Sequence, residues 1–236
     1  MSATPRPDRF VVVVPVKPPS HGKSRLSGLS AAERRDLAAA FALDTASAAL
    51  RTPGVVDVLA VTDDFRFAAR LRTLGCSVIP DGAADDLNAT LVQASAEAAR
   101  RRPDATAAAV CADLPCLRPE ELAAVLAAAP RGRASFVRDR AGTGTTTYVA
   151  AHPLFEPRFG PDSARLHGAA GAHEIDVPAP SVRRDVDDLA DLAGALADGV
   201  GVHTRTLVEA LGTSLGETLR TSPRESSTAS PQAPDA

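Results

Sequence analysis

Four short apolar runs constrain this chain more than any other feature: Phe10–Val16 (FVVVVPV), Val56–Val61, Cys76–Ile79 and the small, apolar start of Ala107–Leu117 (AAAVCADLPCL). Runs this short and this apolar read as strands covered on both faces, which a parallel sheet flanked by helices provides. Each is followed by a helix. A capping box, Ser30-Ala31-Ala32-Glu33, opens the first, which runs to about Leu50. Phe65–Leu74 is the second, Leu87-Asn88 to Arg101-Arg102 with Pro103 at its exit is the third, and Pro119–Ala128 is the fourth. The order β-α-β-α-β-α-β-α, with right-handed crossovers, predicts a doubly wound α/β sheet.

The rhythm then changes. Ser135–Val137 and Thr145–Ala150 read as a strand pair around Ala141-Gly142-Thr143-Gly144, which predicts a mixed sheet and a lid over the site. Phe159-Gly160-Pro161-Asp162-Ser163 opens a short helix capped by Asp162 or Ser163. Ile175–Val177 reads as a further strand, Asp188–Leu196 as a helix and His203–Leu211 as another. Residues 1–8 are polar and Pro-containing, a disordered leader; 9–213 form one domain; the Ser/Pro/Gly-rich remainder, 214–236, reads as a disordered tail.

Composition limits the function. With 236 residues, 44 % hydrophobic and a net charge of -3, the chain is an ordinary globular protein without the basic excess of a nucleic-acid binder. Phe10–Val16 is too short for the h-region of a signal peptide and leads into Lys17, so no signal peptide is expected, and no run reaches transmembrane length. Cys76, Cys111 and Cys116 cannot all pair with one another, and a reduced cytoplasmic protein accounts for them most simply.

Three sets of residues carry candidate chemistry. Asp113, followed by Leu114-Pro115, stands at the end of the fourth run, and ligands collect beyond the carboxyl ends of the strands in an open parallel sheet; its alternative is to cap the helix beginning near Pro119. Asp185-Val186-Asp187 places two carboxylates on one face of an extended segment, where they repel unless a cation lies between them. If Asp113 joins them, three hard oxygen donors make a magnesium site rather than a zinc site; otherwise Asp187 or Asp188 caps the following helix. The loop Lys17–Arg25 (KPPSHGKSR) ends in Gly-Lys-Ser, as a P-loop does, but Lys17 stands where that pattern needs a glycine, and Pro18 and Pro19 lack N–H groups. What remains is three cations, Lys17, Lys23 and Arg25, able to surround a polyphosphate or simply to be solvated. The third set is Gly142-Thr143-Gly144-Thr145-Thr146 with Phe159–Ser163, which offers amides, hydroxyls and a helix N-terminus to a small anion, or serves only as a turn and a cap.

Together these segments resemble the CofC/FbiD guanylyltransferases of 5-deazaflavin coenzyme (F-420) biosynthesis. The resemblance is carried by Val16-Lys17 with Lys23-Ser24-Arg25-Leu26, Asp86-Leu87-Asn88, Asp113-Leu114-Pro115, Gly142-Thr143-Gly144-Thr145, Arg158-Phe159-Gly160-Pro161-Asp162-Ser163 and Asp185-Val186-Asp187. It implies a three-layer α/β/α, Rossmann-like (GT-A-like) nucleotidyltransferase with a mixed, mostly parallel sheet, transferring GMP from GTP to a small phosphorylated carboxylic acid. On that resemblance Asp113, Asp185 and Asp187 hold Mg2+, Thr145, Gly160 and Ser163 bind the acceptor, Lys17, Lys23 and Arg25 face the GTP phosphates, and Leu87 and Asn88 lie at the guanine end. Phosphoenolpyruvate is the favoured acceptor, with 2-phospho-L-lactate and 3-phosphoglycerate as alternatives, and the unstable product implies hand-over to a downstream transferase. No nucleic-acid or membrane partner is expected. A nucleotidyltransferase for a molybdopterin or sugar-phosphate acceptor, or a non-catalytic GTP-binding module, are the competing readings.

Overall fold

The computed structural model describes residues 8–16, 26, 28–83 and 86–221. The first half alternates as the apolar runs require: β1 (Phe10–Pro15), α1 (Ala31–Leu50), β2 (Val55–Val61), α2 (Phe65–Leu74), β3 (Ser77–Ile79), α3 (Leu87–Arg101), β4 (Thr106–Val110) and α4 (Pro119–Ala128). Each helix starts for a local reason. The Ser30 hydroxyl accepts the Glu33 amide while the Glu33 carboxylate accepts the Ser30 amide; the carboxylates of Asp64 and Asp86 cap α2 and α3; Pro119 opens α4.

The second half comprises β5 (Ser135–Arg138), β6 (Thr145–Ala150), a short 3-10 turn (His152–Leu154), α5 (Ser163–Ala169), β7 (His173–Glu174), α6 (Pro180–Arg183), α7 (Leu189–Asp198) and α8 (Val202–Thr221), which is kinked at Gly212. The sheet order is β3-β2-β1-β4-β6-β5-β7, and only β6 runs against the others. Alternate residues of β1 point to opposite layers: Val12 and Val14 pack with α1, α2 and α4, whereas Val11 and Val13 pack with α3 and α5. That two-sided burial makes three layers, α/β/α. A third cluster, Leu26, Leu37, Phe41, Cys116, Val186 and Leu192 among its members, joins α1 to α7 beneath the carboxyl end of β4.

Several expectations need correction. The fourth strand ends at Val110, and Asp113 lies in the loop beyond it, because the chain leaves the sheet after the Cys111 amide bonds Thr146, to reach α4. The β5–β6 hairpin is not a lid: β6 pairs with both β4 and β5 and is buried along its length, so it belongs to the sheet. The last strand is His173–Glu174, not Ile175–Val177; the Ile175 amide still donates to Phe136, but its buried side chain serves the core. Asp162 precedes α5 in the left-handed region and makes no side-chain cap bond. The helical backbone runs to Thr221, past the expected start of the tail at Ser214; residues 222–236 lie outside the described part. No disulfide links Cys76, Cys111 or Cys116, and among the described residues no helix is long and apolar enough to cross a membrane.

Candidate active site

β1 and β4 are neighbours, and from them the chain winds outward in opposite directions, so their carboxyl ends bound the crevice where open α/β sheets bind ligands. The basic loop that follows β1, with Lys17, Lys23 and Arg25, lies outside the described residues.

Asp113 is fixed through its two neighbours. Thr45, fully buried in the middle of α1, donates its hydroxyl to the Ala112 carbonyl at 3.2 Å and accepts the Leu114 amide at 3.1 Å. The carbonyl of Asp113 itself accepts the Val186 amide at 3.1 Å, which stitches the loop after β4 to the segment after α6. Val186 is fully buried in the third cluster, so Asp185 and Asp187 on either side face away from it. Burial first, and then the charges of Asp113, Asp187 and Asp139, push the Asp185 carboxyl up to about 7. The three aspartates named from sequence therefore share one neighbourhood, with Asp139 as a fourth. Asp188 takes the capping role instead, through a reciprocal box with Asp191.

Asp139 also links this cluster to the second half of the crevice. Its carboxylate accepts the amides of Thr143 at 3.1 Å and Gly144 at 2.8 Å, so the glycine-rich turn spends these N–H groups on the protein rather than on a ligand. A Cβ at Gly144 would collide with that carboxylate, which is why glycine stands there. Beyond the turn, Thr145 lies buried at the start of β6, and Ser163 is buried at the start of α5. Ala164 donates its amide to the Thr143 carbonyl at 3.1 Å, tying the two together. Gly160, at φ +133°, turns the loop between Phe159 and α5 in a conformation that L side chains rarely adopt. Thr145, Gly160 and Ser163 thus border one corner beside the aspartates.

Leu87 and Asn88 hold the corner from behind. Leu87 packs against the α3-side core, and the Asn88 amide is used at both ends on Phe159: Nδ2 donates to its carbonyl at 3.0 Å and Oδ1 accepts its amide at 2.8 Å. Arg183 does not face the crevice freely either; it donates to the carbonyls of Ile175 and Arg138. Thr45 and Asp139 are site-supporting residues that the sequence does not mark: Thr45 acts on a loop far along the chain, and Asp139 on the turn that follows it.

The arrangement offers hard oxygen donors. Among the described residues, no three His, Cys, Asp or Glu side chains already surround one point at ligand distance. A cation held there would need further oxygen donors besides the aspartates, such as phosphate and water.

The chain is 46% identical over 206 residues, 86% of its length and 97% of the relative's, to a phosphoenolpyruvate guanylyltransferase of Streptomyces coelicolor, and 45% identical over 198 residues, 83% and 87% of the two lengths, to one of Thermomonospora curvata. Among solved structures, one from Desulfovibrio desulfuricans G20, provisionally named a nucleotide-diphospho-sugar transferase, aligns with TM-score 0.66 at 16% identity, covering 89% of this chain and 98% of that one. A cytidylyltransferase from Leptospira borgpetersenii aligns with TM-score 0.53 at 14% identity over 92% and 99%. These show that the fold is the Rossmann-like fold of nucleotidyltransferases. The family described as "Guanylyl transferase CofC like" matches residues 10–228, and the chain belongs to that family.

Proposed function

We propose that the protein transfers GMP from GTP to phosphoenolpyruvate, releasing pyrophosphate and giving enolpyruvoyl-2-diphospho-5'-guanosine for deazaflavin coenzyme biosynthesis. The observation that carries the reading is the gathering of Asp113, Asp185 and Asp187 at the switch point of the sheet, beside Thr145, Gly160 and Ser163, in a chain 43% to 47% identical to enzymes named for this activity. An oxygen of the acceptor phosphate attacks the α-phosphorus, the bond from that phosphorus to the bridging oxygen of pyrophosphate breaks, and the electron pair leaves with pyrophosphate. The attacking phosphate is already anionic, so no general base is required. Mutual repulsion of the phosphates is the obstacle.

Magnesium bound by Asp113, Asp185 and Asp187 would neutralise that charge and align the attack. The donor set fits it: carboxylate oxygens alone, with the Asp185 carboxyl pushed up by burial and then by the like charges around it. Lys17, Lys23 and Arg25 would face the GTP phosphates from the loop after β1, with the guanine end toward Leu87 and Asn88 at the head of α3. Thr145, Gly160 and Ser163 would hold the acceptor. The reaction suits a cytoplasmic enzyme, and the unstable product calls for direct hand-over to the transferase that consumes it.

Purified protein with GTP and magnesium, offered phosphoenolpyruvate, 2-phospho-L-lactate or 3-phosphoglycerate in separate reactions with the coupled transferase present, tests the reading through pyrophosphate release. Turnover should be fastest with phosphoenolpyruvate. GTP binding without pyrophosphate from any of the three would instead identify a binding module.

A further inference from the structure

His167 has no part in the chemistry above, yet it connects every element of the acceptor corner. It is 1% exposed, with its ring stacked on Tyr148 at 4.8 Å and flanked by Phe136 and Phe159. Nε2 accepts the main-chain N–H of Arg158 at 2.8 Å. A main-chain N–H can only donate, so Nε2 carries no hydrogen and the neutral ring must carry its hydrogen on Nδ1. Burial, with the Arg158 charge nearby, pushes the imidazole down to about 4, which keeps it neutral at ordinary pH. Nδ1 lies 3.0 Å from Thr145 Oγ1, and the ring also bonds the Ser163 main chain. Because Nδ1 holds a hydrogen, shared between Thr145 Oγ1 and the Ser163 main chain, the hydroxyl cannot donate to the ring, and its own hydrogen points elsewhere. The described residues supply no acceptor for it.

We propose that His167 is a positioning residue: its Nδ1–H tautomer, fixed by the Arg158 amide, turns the Thr145 hydroxyl into a donor toward the carboxylate or phosphate oxygens of the acceptor. The opposite tautomer would draw the hydroxyl hydrogen to the ring and present a lone pair to an anion. The inference rests on the reading of Thr145, Gly160 and Ser163 as the acceptor subsite.

Steady-state kinetics on four variants tests it. His167→Gln keeps an acceptor near the Arg158 amide but leaves nothing at the Nδ1 position. It should raise the KM for phosphoenolpyruvate about tenfold, the loss expected for a hydrogen bond to an anion, with the KM for GTP unchanged. His167→Asn, whose amide reaches the Nδ1 position, should recover part of that loss. Thr145→Val should match His167→Gln, and the double variant should be no worse than Thr145→Val alone. Additive losses in the double variant, or an unchanged KM in His167→Gln while Thr145→Val is impaired, overturn the positioning role. An unchanged KM in Thr145→Val overturns the acceptor subsite itself. Independently of any variant's folding, 15N NMR of the wild-type imidazole should show the Nδ1–H tautomer, and an Nε2–H tautomer overturns the proposal.

Discussion

Thr45 stands in an alanine-rich helix, where a threonine is a modest liability for helix formation, and its hydroxyl bridges the two residues on either side of Asp113. Thr45→Val preserves the shape but leaves a half-buried carbonyl and a buried amide without their partner, at a cost on the order of 2 kcal/mol. Chemical denaturation should show that loss, and kcat should fall with it because the Asp113 loop is no longer pinned; a variant with wild-type stability and wild-type kcat would show that the loop holds itself. The aspartates are more direct. Asp113→Ala and Asp185→Ala should each lower turnover by about 10²-fold or more, the scale of losing one stabiliser of developing charge, while circular dichroism shows the fold retained. Wild-type turnover in either would reject the metal-holding assignment.

At the scale of elements, α1 anchors much of the rim. Asp44, beside Thr45, accepts the amides of His203 and Thr204 at 2.9 Å each and so docks the start of α8. α3 performs the matching task for the loop before α5, through the bonds of Asn88 to Phe159. That contact separates two roles for one residue: Asn88→Ala should raise the KM for phosphoenolpyruvate by loosening the loop at Phe159, whereas a guanine contact would raise the KM for GTP instead. Measuring both constants on the same variant decides between them. The elements themselves were legible wherever a local signal marks an end. Asp64 and Gly75 bracket α2, Pro119 opens α4, and the run Thr145–Ala150 after the glycine-rich turn is β6. β7 was misplaced because Ile175 and Val177 owe their apolar character to the core rather than to the ladder. The aspartate cluster could be named from spacing and resemblance, since Asp-x-Asp has a local geometry. Thr45, Asn88 and His167 could not be given their roles, because each is defined by a hydrogen bond to a partner far along the chain, and a lone polar residue inside a helix carries no mark of it.

For the whole molecule, the acidic cluster should appear as a dependence of stability on pH and on magnesium. The folded Asp185 carboxyl titrates at about 7, against an ordinary value of about 4 in the unfolded chain. The folded state therefore binds that proton more tightly, and its stability falls as pH rises through the window between the two values. His167 has the opposite sign: lowered to about 4 when folded, it adds stability as pH rises toward its ordinary value of about 6.5. The two overlap over most of the range, so the wild-type curve alone does not separate them, but Asp185→Asn removes only the first. In EDTA, Asp185→Asn should melt above wild type near pH 7.5, and the difference should shrink toward pH 5, where the wild-type carboxyl is protonated in the fold. Magnesium at pH 7.5 should then raise the melting temperature of wild type by mass action and leave Asp185→Asn nearly unmoved. A melting difference between the two proteins that stays constant with pH, together with an equal response to magnesium, would mean that the carboxylates at the end of β4 neither strain one another nor share a cation.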